Sequence, residues 1–231
     1  MIIIVIPCYN EEAILEKNIN QTLEAIKDIP RDIKIVISDN NSKDKTAEIG
    51  KRLAEKNNNV EYVFVEEAGK GAAIMEAWKR HDADIYGFMD ADLATDLSAL
   101  PLALDGFENF DAAIGSRRIA GADVKRELHR KISSAMLNLF VRFFLKTNIK
   151  DTPCGFKLFK RSLVEKIVPQ VKDRKWVFDT ELLILAERVG FKIKEIPVKW
   201  EEKGERGSRV NIYPTIREYL KKIWEIRGRI E

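Results

Sequence analysis

The chain is poor in the residues that build metal-thiolate sites. It has two cysteines, Cys8 and Cys154, and two histidines, His81 and His129. They lie too far apart for a structural zinc site, whose ligands come in closely spaced pairs. Two distant cysteines also make no disulfide framework, so reduced thiols in a cytosolic setting are the expectation. Long apolar runs are missing as well. No stretch reaches the roughly 18–20 apolar residues needed to span a bilayer. The chain opens Met-Ile-Ile-Ile-Val-Ile with no basic segment ahead of it, which reads as a first strand and not as a signal peptide. Repeats and low-complexity tracts are lacking. Neither sign of charge dominates: 40 Lys and Arg against 37 Asp and Glu leave a net +3, too little to imply nucleic acid. What remains is a 231-residue chain, long enough to bury a full core.

Its patterning is that of alternating strands and helices. Ile2–Ile6 is a β-branched run of the kind covered on both faces in a parallel sheet. Further strands are predicted at Ile33–Ser38, Val60–Val65, Asp84–Met89 and Asp111–Gly115. Helices are predicted over Ala13–Asp28, up to Lys56, from Gly69 to Arg80, and over Leu97–Phe107. Such alternation implies an α/β fold with right-handed crossovers. Ligands of these sheets bind beyond the carboxyl ends of the strands. Three predicted strands end there in polar clusters: Tyr9-Asn10-Glu11, Asp39-Asn40-Asn41 and Asp90-Ala91-Asp92. Residues two apart on an extended chain point the same way, so Asp90 and Asp92 are expected to aim two carboxylates at one point. Hard oxygen ligands of this kind hold Mg²⁺ or Mn²⁺, and such an ion can neutralise a diphosphate leaving group. By itself, an Asp-x-Asp pair is as readily a solvated turn.

The ordered set is more specific than any one piece. Ile-Val-Ile-Pro-Cys-Tyr-Asn-Glu-Glu at 4–12, Ser-Asp-Asn-Asn-Ser-Lys-Asp-Lys-Thr at 38–46, Gly-Lys-Gly-Ala-Ala at 69–73 and Asp-Ala-Asp-Leu at 90–93 resemble the family 2 inverting glycosyltransferases. Asp-Thr-Pro-Cys-Gly-Phe-Lys-Leu-Phe at 151–159 and Trp-Val-Phe-Asp-Thr-Glu-Leu-Leu at 176–183 resemble the polyprenyl- and dolichyl-phosphate branch, closer to its glucosyl than its mannosyl members. The resemblance covers nearly the whole chain. It implies a three-layer α/β/α nucleotide-diphospho-sugar transferase fold with a mostly parallel sheet. Residues 1–210 would form the catalytic domain, 1–116 its nucleotide-sugar half and 117–210 its acceptor half, followed by a basic amphipathic helix over 211–231.

The resemblance also implies roles. Pro7, Tyr9, Asn10 and Glu11 would form the base and ribose edge, the tyrosine stacking and the polar groups hydrogen-bonding; the competing reading is an ordinary strand-to-helix turn. Asp39 matches the aspartate that reads the base imino N–H, and Asn40 stands where relatives often have a second aspartate. Asn41 and Ser42 are expected to cap a helix. Lys70 and Gly71, after Gly69, would bring backbone and one cation close to a phosphate. Asp90, Ala91 and Asp92 would face the diphosphate, with Asp90 and Asp92 on the metal. Ala94 stands where the mannosyl branch often has a glutamine. The implied donor is UDP-glucose, with GDP-mannose next.

Residues 117–160 contain 11 Lys and Arg against 3 Asp and Glu, which argues for an anionic partner of this segment. Arg117, just past the fifth strand, is a candidate phosphate fork. Glu127–Lys146 reads as a helix with Arg130, Ser134, Asn138, Arg142 and Lys146 on one polar line and a wide apolar face. Such a helix suits the surface of an anionic membrane, or else packing inside the protein or a dimer. Asp179 begins a helix and is expected to orient the acceptor; its alternative is to complement the helix dipole. A hydroxyl acceptor needs a base, whereas a lipid phosphate, with a second pKa of about 6, does not. The charged loop at 201–209 matches the family loop that closes over the substrates, with Arg206 and Arg209 as clamps. Tyr213–Ile230 is predicted as a second membrane contact. Asp92, Arg117 and Asp179 are the catalytic candidates, and Arg117, Arg130, Ser134, Arg206 and Arg209 the acceptor-phosphate set. The expected whole is a peripheral enzyme on the cytoplasmic face of a membrane, possible as an oligomer, with a polyprenyl or dolichyl phosphate acceptor. The alternatives are a soluble transferase using a sugar hydroxyl and a nucleotide-sugar-binding protein without turnover.

Overall fold

The computed structural model describes the backbone of residues 1–202 and 212–230 and, within them, every side chain except those of residues 130 and 212–217. Arg206 and Arg209 therefore lie outside the described residues, as does the side chain of Arg130. Strand β1 (Ile2–Cys8) is followed by α1 (Leu15–Ile26), β2 (Ile33–Asp39), α2 (Thr46–Lys56), β3 (Val60–Phe64), α3 (Lys70–Lys79), β4 (Ile85–Met89), α4 (Ala99–Leu104) and β5 (Ala112–Ser116). Then come β6 (Asp123–Lys125), α5 (Leu128–Leu145), β7 (Phe156–Lys160), α6 (Arg161–Ile167), α7 (Phe178–Arg188), β8 (Ile193–Pro197), β9 (Lys199–Glu201) and α8 (Ile212–Ile230).

Seven strands form one sheet in the order β3-β2-β1-β4-β7-β5-β8. Every pairing is parallel except those of β7, which runs antiparallel to both β4 and β5. The β-branched run of β1 is buried on both faces, as its composition requires. Ile3 and Val5 join the core cluster beneath α3, α6 and α7, with Trp78, Phe88, Phe159 and Leu182. Ile4 and Ile6 join the opposite cluster with Leu15, Leu53 and Leu100 from α1, α2 and α4. The result is the expected three-layer α/β/α arrangement. Helix α4 is shorter than the predicted Leu97–Phe107 because the chain leaves helical geometry at Asp105, which is extended.

Two features of this topology position the site. The neighbours of β1 are β2 and β4, so the crossovers leave in opposite directions and open a crevice beyond its carboxyl end. Because β7 is reversed, its amino end lies on that same rim. This brings the 151–155 turn beside the end of β4, an arrangement that alternating strand and helix did not foretell. The sheet runs without a break across the predicted boundary between 116 and 117.

Helices α5 and α8 pack on each other through Val141, Leu145, Tyr219, Ile223 and Ile226, with Val177 and Ile184 beneath. The middle of the polar line of α5 turns inward: Asn138 is buried, and the Ser134 hydroxyl accepts a hydrogen bond from Arg118 Nη2 at 2.9 Å. Only these two uncharged members turn inward: Arg142 is half-buried and Lys146 is exposed. Beside exposed His129, Lys131 and Ser133, α5 presents apolar residues outward: Leu128, Ile132, Met136, Leu139 and Phe143 are 73, 53, 67, 65 and 83% exposed. Their spacing by three and four places them on one stripe.

Candidate functional site

The Asp-x-Asp segment is a tight turn and not an extended strand end. β4 stops at Met89, and the Leu93 N–H donates to Asp90 O at 3.2 Å. The period-two alternation that predicted convergent carboxylates does not apply. The turn itself brings the two acids to the rim. Leu93 sits at φ 50°, in the left-handed region that a bulky residue rarely occupies. Asn18 Nδ2 on Ala91 O (2.8 Å) and the Ala94 N–H on Asp92 Oδ1 (2.9 Å) hold it there.

Lys70 Nζ lies 2.7 Å from Asp90 Oδ1. Burial pulls the Lys70 ammonium down, but Asp90 and then Asp179 more than compensate, and its pKa is raised. Lys70 thus keeps its charge beside the acids. Among the described residues no group of three or more His, Cys, Asp or Glu could hold a metal. The Asp90 side chain is nevertheless 41% exposed, with Asp92 in the same turn. Two carboxylates without a third protein ligand are the donor set that Mg²⁺ uses when substrate phosphates and water complete its shell. The residues fit an ion arriving with a diphosphate.

The Gly69-Lys70-Gly71 segment is not a backbone phosphate cradle. The Gly69 N–H donates to Asn40 Oδ1 (2.6 Å), Gly71 N–H to Lys175 O (3.1 Å) and Ala72 N–H to Arg174 O (2.8 Å). Gly69 has φ 148° and lies against the Arg174 carbonyl, and Gly71 packs on Phe178, so both glycines serve close packing. Asn40 is corrected with them. Its Nδ2 donates to Glu67 O at 2.6 Å, so the amide shapes the 65–69 loop instead of facing a base.

Asp39 ends β2 and is 1% exposed. Its Oδ2 accepts the Tyr62 hydroxyl at 2.7 Å, and its Oδ1 accepts the Ser42 N–H at 3.0 Å. Burial and the Asp39 carboxylate both raise the Tyr62 phenol, keeping it a donor. Ser42 Oγ accepts the Asn10 N–H, and Asn10 Oδ1 accepts the Lys43 N–H. Ser42 thus fastens the loop after β1 to the loop after β2, Asn41 Oδ1 accepts from Lys43 Nζ within its own loop, and neither caps α2, which starts at Thr46. The Glu11 N–H joins through Thr46 Oγ1 at 2.7 Å. Pro7 is half-buried within β1, and Tyr9 stands 52% exposed at the crevice mouth.

On the other side, Arg117 leaves β5 and is forked by Asp151, Nε to Oδ2 and Nη2 to Oδ1, both at 2.8 Å. The Arg117 backbone N–H adds a third bond to Oδ2 at 2.9 Å. Burial would raise the Asp151 carboxyl, but these bonds hold it below the usual range. The fork predicted for a phosphate is therefore turned on a buried acid, and Arg117 offers a ligand only its remaining edge. The guanidiniums of Arg117 and Arg126 lie 5.3 and 5.2 Å from the ring centre of Trp200. Arg118 is pushed down by burial and by Arg117 and Arg126, although Asp151 opposes this. Three arginines are thus crowded here, Arg117 on Asp151 and Arg126 within 3.6 Å of Glu202.

A continuous run of contacts joins the two sides. Asn40 follows Asp39 and holds Gly69, Lys70 holds Asp90, the Asp90 N–H donates to Gly155 O (3.0 Å), and Asp151 of that turn holds Arg117. Asp39, Asp90 and Arg117 share one rim. Asp179 lies just under it, with Oδ2 3.0 Å from Lys157 Nζ. Sequence reading missed Lys157, Gly155, Tyr62 and Trp200. Lys157 alone left a signal, a cation inside the otherwise apolar Phe156–Phe159.

Residues 3–168 match the family described as Glycosyl transferase family 2. A dolichyl-phosphate beta-glucosyltransferase of Trichomonas vaginalis is 31% identical over 97% of this chain and 76% of its own length. That of Saccharomyces cerevisiae is 32% identical over 86% of this chain and 66% of its own. Glycosyltransferase AglD of Haloferax volcanii is 33% identical over 87% of this chain, which spans only 33% of it. Among solved structures, glucosyl-3-phosphoglycerate synthase of Mycobacterium tuberculosis in complex with UDP superposes with a TM-score of 0.72 over 99% of this chain and 80% of its own. At 18% identity this likeness concerns the fold.

Proposed function

The chain belongs to glycosyl transferase family 2, and from that premise we propose that it transfers a hexose from a nucleotide-sugar to a polyprenyl or dolichyl phosphate, with inversion. The observation that carries this reading is the shared rim. Donor-side acids and a lysine, Asp39, Asp90, Asp92 and Lys70, meet acceptor-side arginines across the 151–155 turn, with the apolar stripe of α5 nearby in the chain. Relatives named as dolichyl-phosphate beta-glucosyltransferases, and a polyprenol monophosphomannose synthase of Mycolicibacterium smegmatis, support the acceptor class.

With the Asn40 amide engaged by its own loop, one carboxylate, Asp39, is left to read the base. Uracil offers one imino N–H, whereas guanine adds an exocyclic amine needing a second acceptor. UDP-glucose is therefore the first donor and GDP-mannose the second. Lys70 faces the diphosphate. When bound, Mg²⁺ or Mn²⁺ on Asp90 and Asp92 would neutralise the leaving group; solved relatives of the fold were crystallised with Mn²⁺ or Mg²⁺ and UDP. The acceptor phosphate is largely a dianion at neutral pH and attacks C1 without a base. The work of Arg117, Arg118 and Ser134, with Arg130, is to bring two anions together against their repulsion. Residues 1–116 hold the donor and 117–210 the acceptor.

No helix among the described residues is long and apolar enough to cross a membrane. The lipid is reached peripherally, on the cytoplasmic face, through the α5 stripe and the exposed Trp224 of α8. Burying one leucine or phenylalanine is worth about 1.5–3 kcal/mol. The double variant Leu139→Glu/Phe143→Glu is expected to reduce co-sedimentation with anionic liposomes at least about tenfold, with an unchanged melting temperature. No lipid binding by the unmodified chain would favour the soluble, hydroxyl-acceptor reading, and unchanged binding by the variant would show that another surface meets the lipid. The activity itself is tested by radiolabel transfer from a panel of UDP- and GDP-sugars into an organic-extractable lipid. Label from UDP-glucose in that fraction is expected; none from any donor would reject the reading.

A further inference from the structure

Lys157 is fully buried in the middle of the sheet, on β7 directly across from Phe88 of β4. An ammonium there is costly unless paired, and an apolar residue would fill the same space without that cost. Its Nζ donates to Cys154 O and to Asp179 Oδ2 at 3.0 Å, and lies 5.2 Å from the ring centre of Phe88. Both hydrogen-bond partners lead to the rim. Cys154 belongs to the turn whose Asp151 forks Arg117 and whose Gly155 accepts the Asp90 N–H. Asp179 opens α7, is 4% exposed, and keeps Oδ1 buried without a hydrogen-bond partner among the described residues. Lys70, paired with Asp90, also approaches the Phe88 ring, at 5.1 Å. Two lysines, each paired with an aspartate, thus approach one phenylalanine under the site.

The geometry points to Lys157 as a positioning residue: one buried ammonium ties the 151–155 turn to the head of α7 and so fixes Asp90, Arg117 and Asp179 relative to one another. This rests on the transferase reading above. It gives Asp179 a defined place in that reading, as one end of a brace. A side chain serving stability alone could be replaced, together with its partner, by an uncharged pair with little consequence. A brace could not.

The test compares Lys157→Met, Asp179→Asn and Lys157→Met/Asp179→Asn with the unmodified chain, measuring kcat and donor KM, the melting temperature and a crystal structure of each folded variant. Lys157→Met strands a buried carboxylate and is expected to melt lower, while the double variant recovers much of that loss. Turnover is expected to fall about 100-fold in Lys157→Met, as for a misplaced reacting group. Donor KM should stay within about threefold, and the double variant should be no worse than the poorer single one, because the two act as a unit. The double variant also decides the matter should Lys157→Met not fold. Recovery of turnover along with melting temperature, or losses that multiply, would overturn the inference. If the unmodified chain transfers no sugar, it is the transferase reading that fails. The crystal structures then decide on the brace: a shifted 151–155 turn in the double variant supports it, and an unmoved turn overturns it.

Discussion

Gly155→Ala is expected to lower transfer about 100-fold while leaving the fold intact, the scale of loss that follows a displacement of about 1 Å at a reacting centre. A Cβ at Gly155 would overlap the Asp90 carboxylate, at both oxygens and at Cγ. Asp90 cannot retreat along its backbone, since its N–H is bonded to Gly155 O at 3.0 Å. Its side chain must swing away, giving up the 2.7 Å contact with Lys70. Because that side chain is 41% exposed, it has solvent to swing into. The cost falls on the site and not on the core. Initial rates and a thermal melt check this: a rate within threefold of the unmodified chain would show that Asp90 need not sit where it does.

Arg117→Met should be among the most destabilising single changes in the chain. It leaves Asp151, fully buried, as a charge without its partner, a loss of about 3–5 kcal/mol and on the order of 10 °C in melting temperature for a chain of this size. Arg117→Met/Asp151→Leu should regain most of it, because no lone charge remains. The pair also sets an acid limit. The Asp151 carboxyl is held below its ordinary range in the folded chain, so its stabilisation is present above the unfolded value of about 3.9. That stabilisation is lost as pH falls through the folded value. Between pH 5 and 8 the pair contributes a constant amount, and below about pH 4 the melting temperature should fall more steeply in the unmodified chain than in the double variant. Parallel melting curves across that range would contradict the assignment.

The parallel half of the sheet was legible because both-face burial writes itself into β1 as an unbroken β-branched run and into β2 as one interrupted only by Lys34. Polar clusters at the ends of β1, β2 and β4 marked the rim for the same reason: a buried strand turns polar only where it emerges. Other features depended on contacts distant in sequence. The reversal of β7 has no local mark, and it alone places Gly155 against Asp90. Gly69 and Gly71 resembled a phosphate loop, and only the arrival of the 174–175 carbonyls shows where their N–H groups go. Asn40 looked like a base contact because its amide partners, Gly69 and Glu67, lie almost thirty residues on. The polar line of α5 splits: Ser134 and Asn138 turn inward, while Lys146 stays exposed. The inward turn at Ser134 depends on Arg118, sixteen residues earlier in the chain.

The central claim is that one rim gathers a single sugar-nucleotide, and a crystal structure of the chain with UDP and Mn²⁺ tests it most directly. The account predicts uracil between Tyr9 and Asp39, the diphosphate beside Lys70, and the ion on Asp90 and Asp92. Nucleotide bound away from the ends of β1, β2 and β4, or an ion held by neither aspartate, would contradict it.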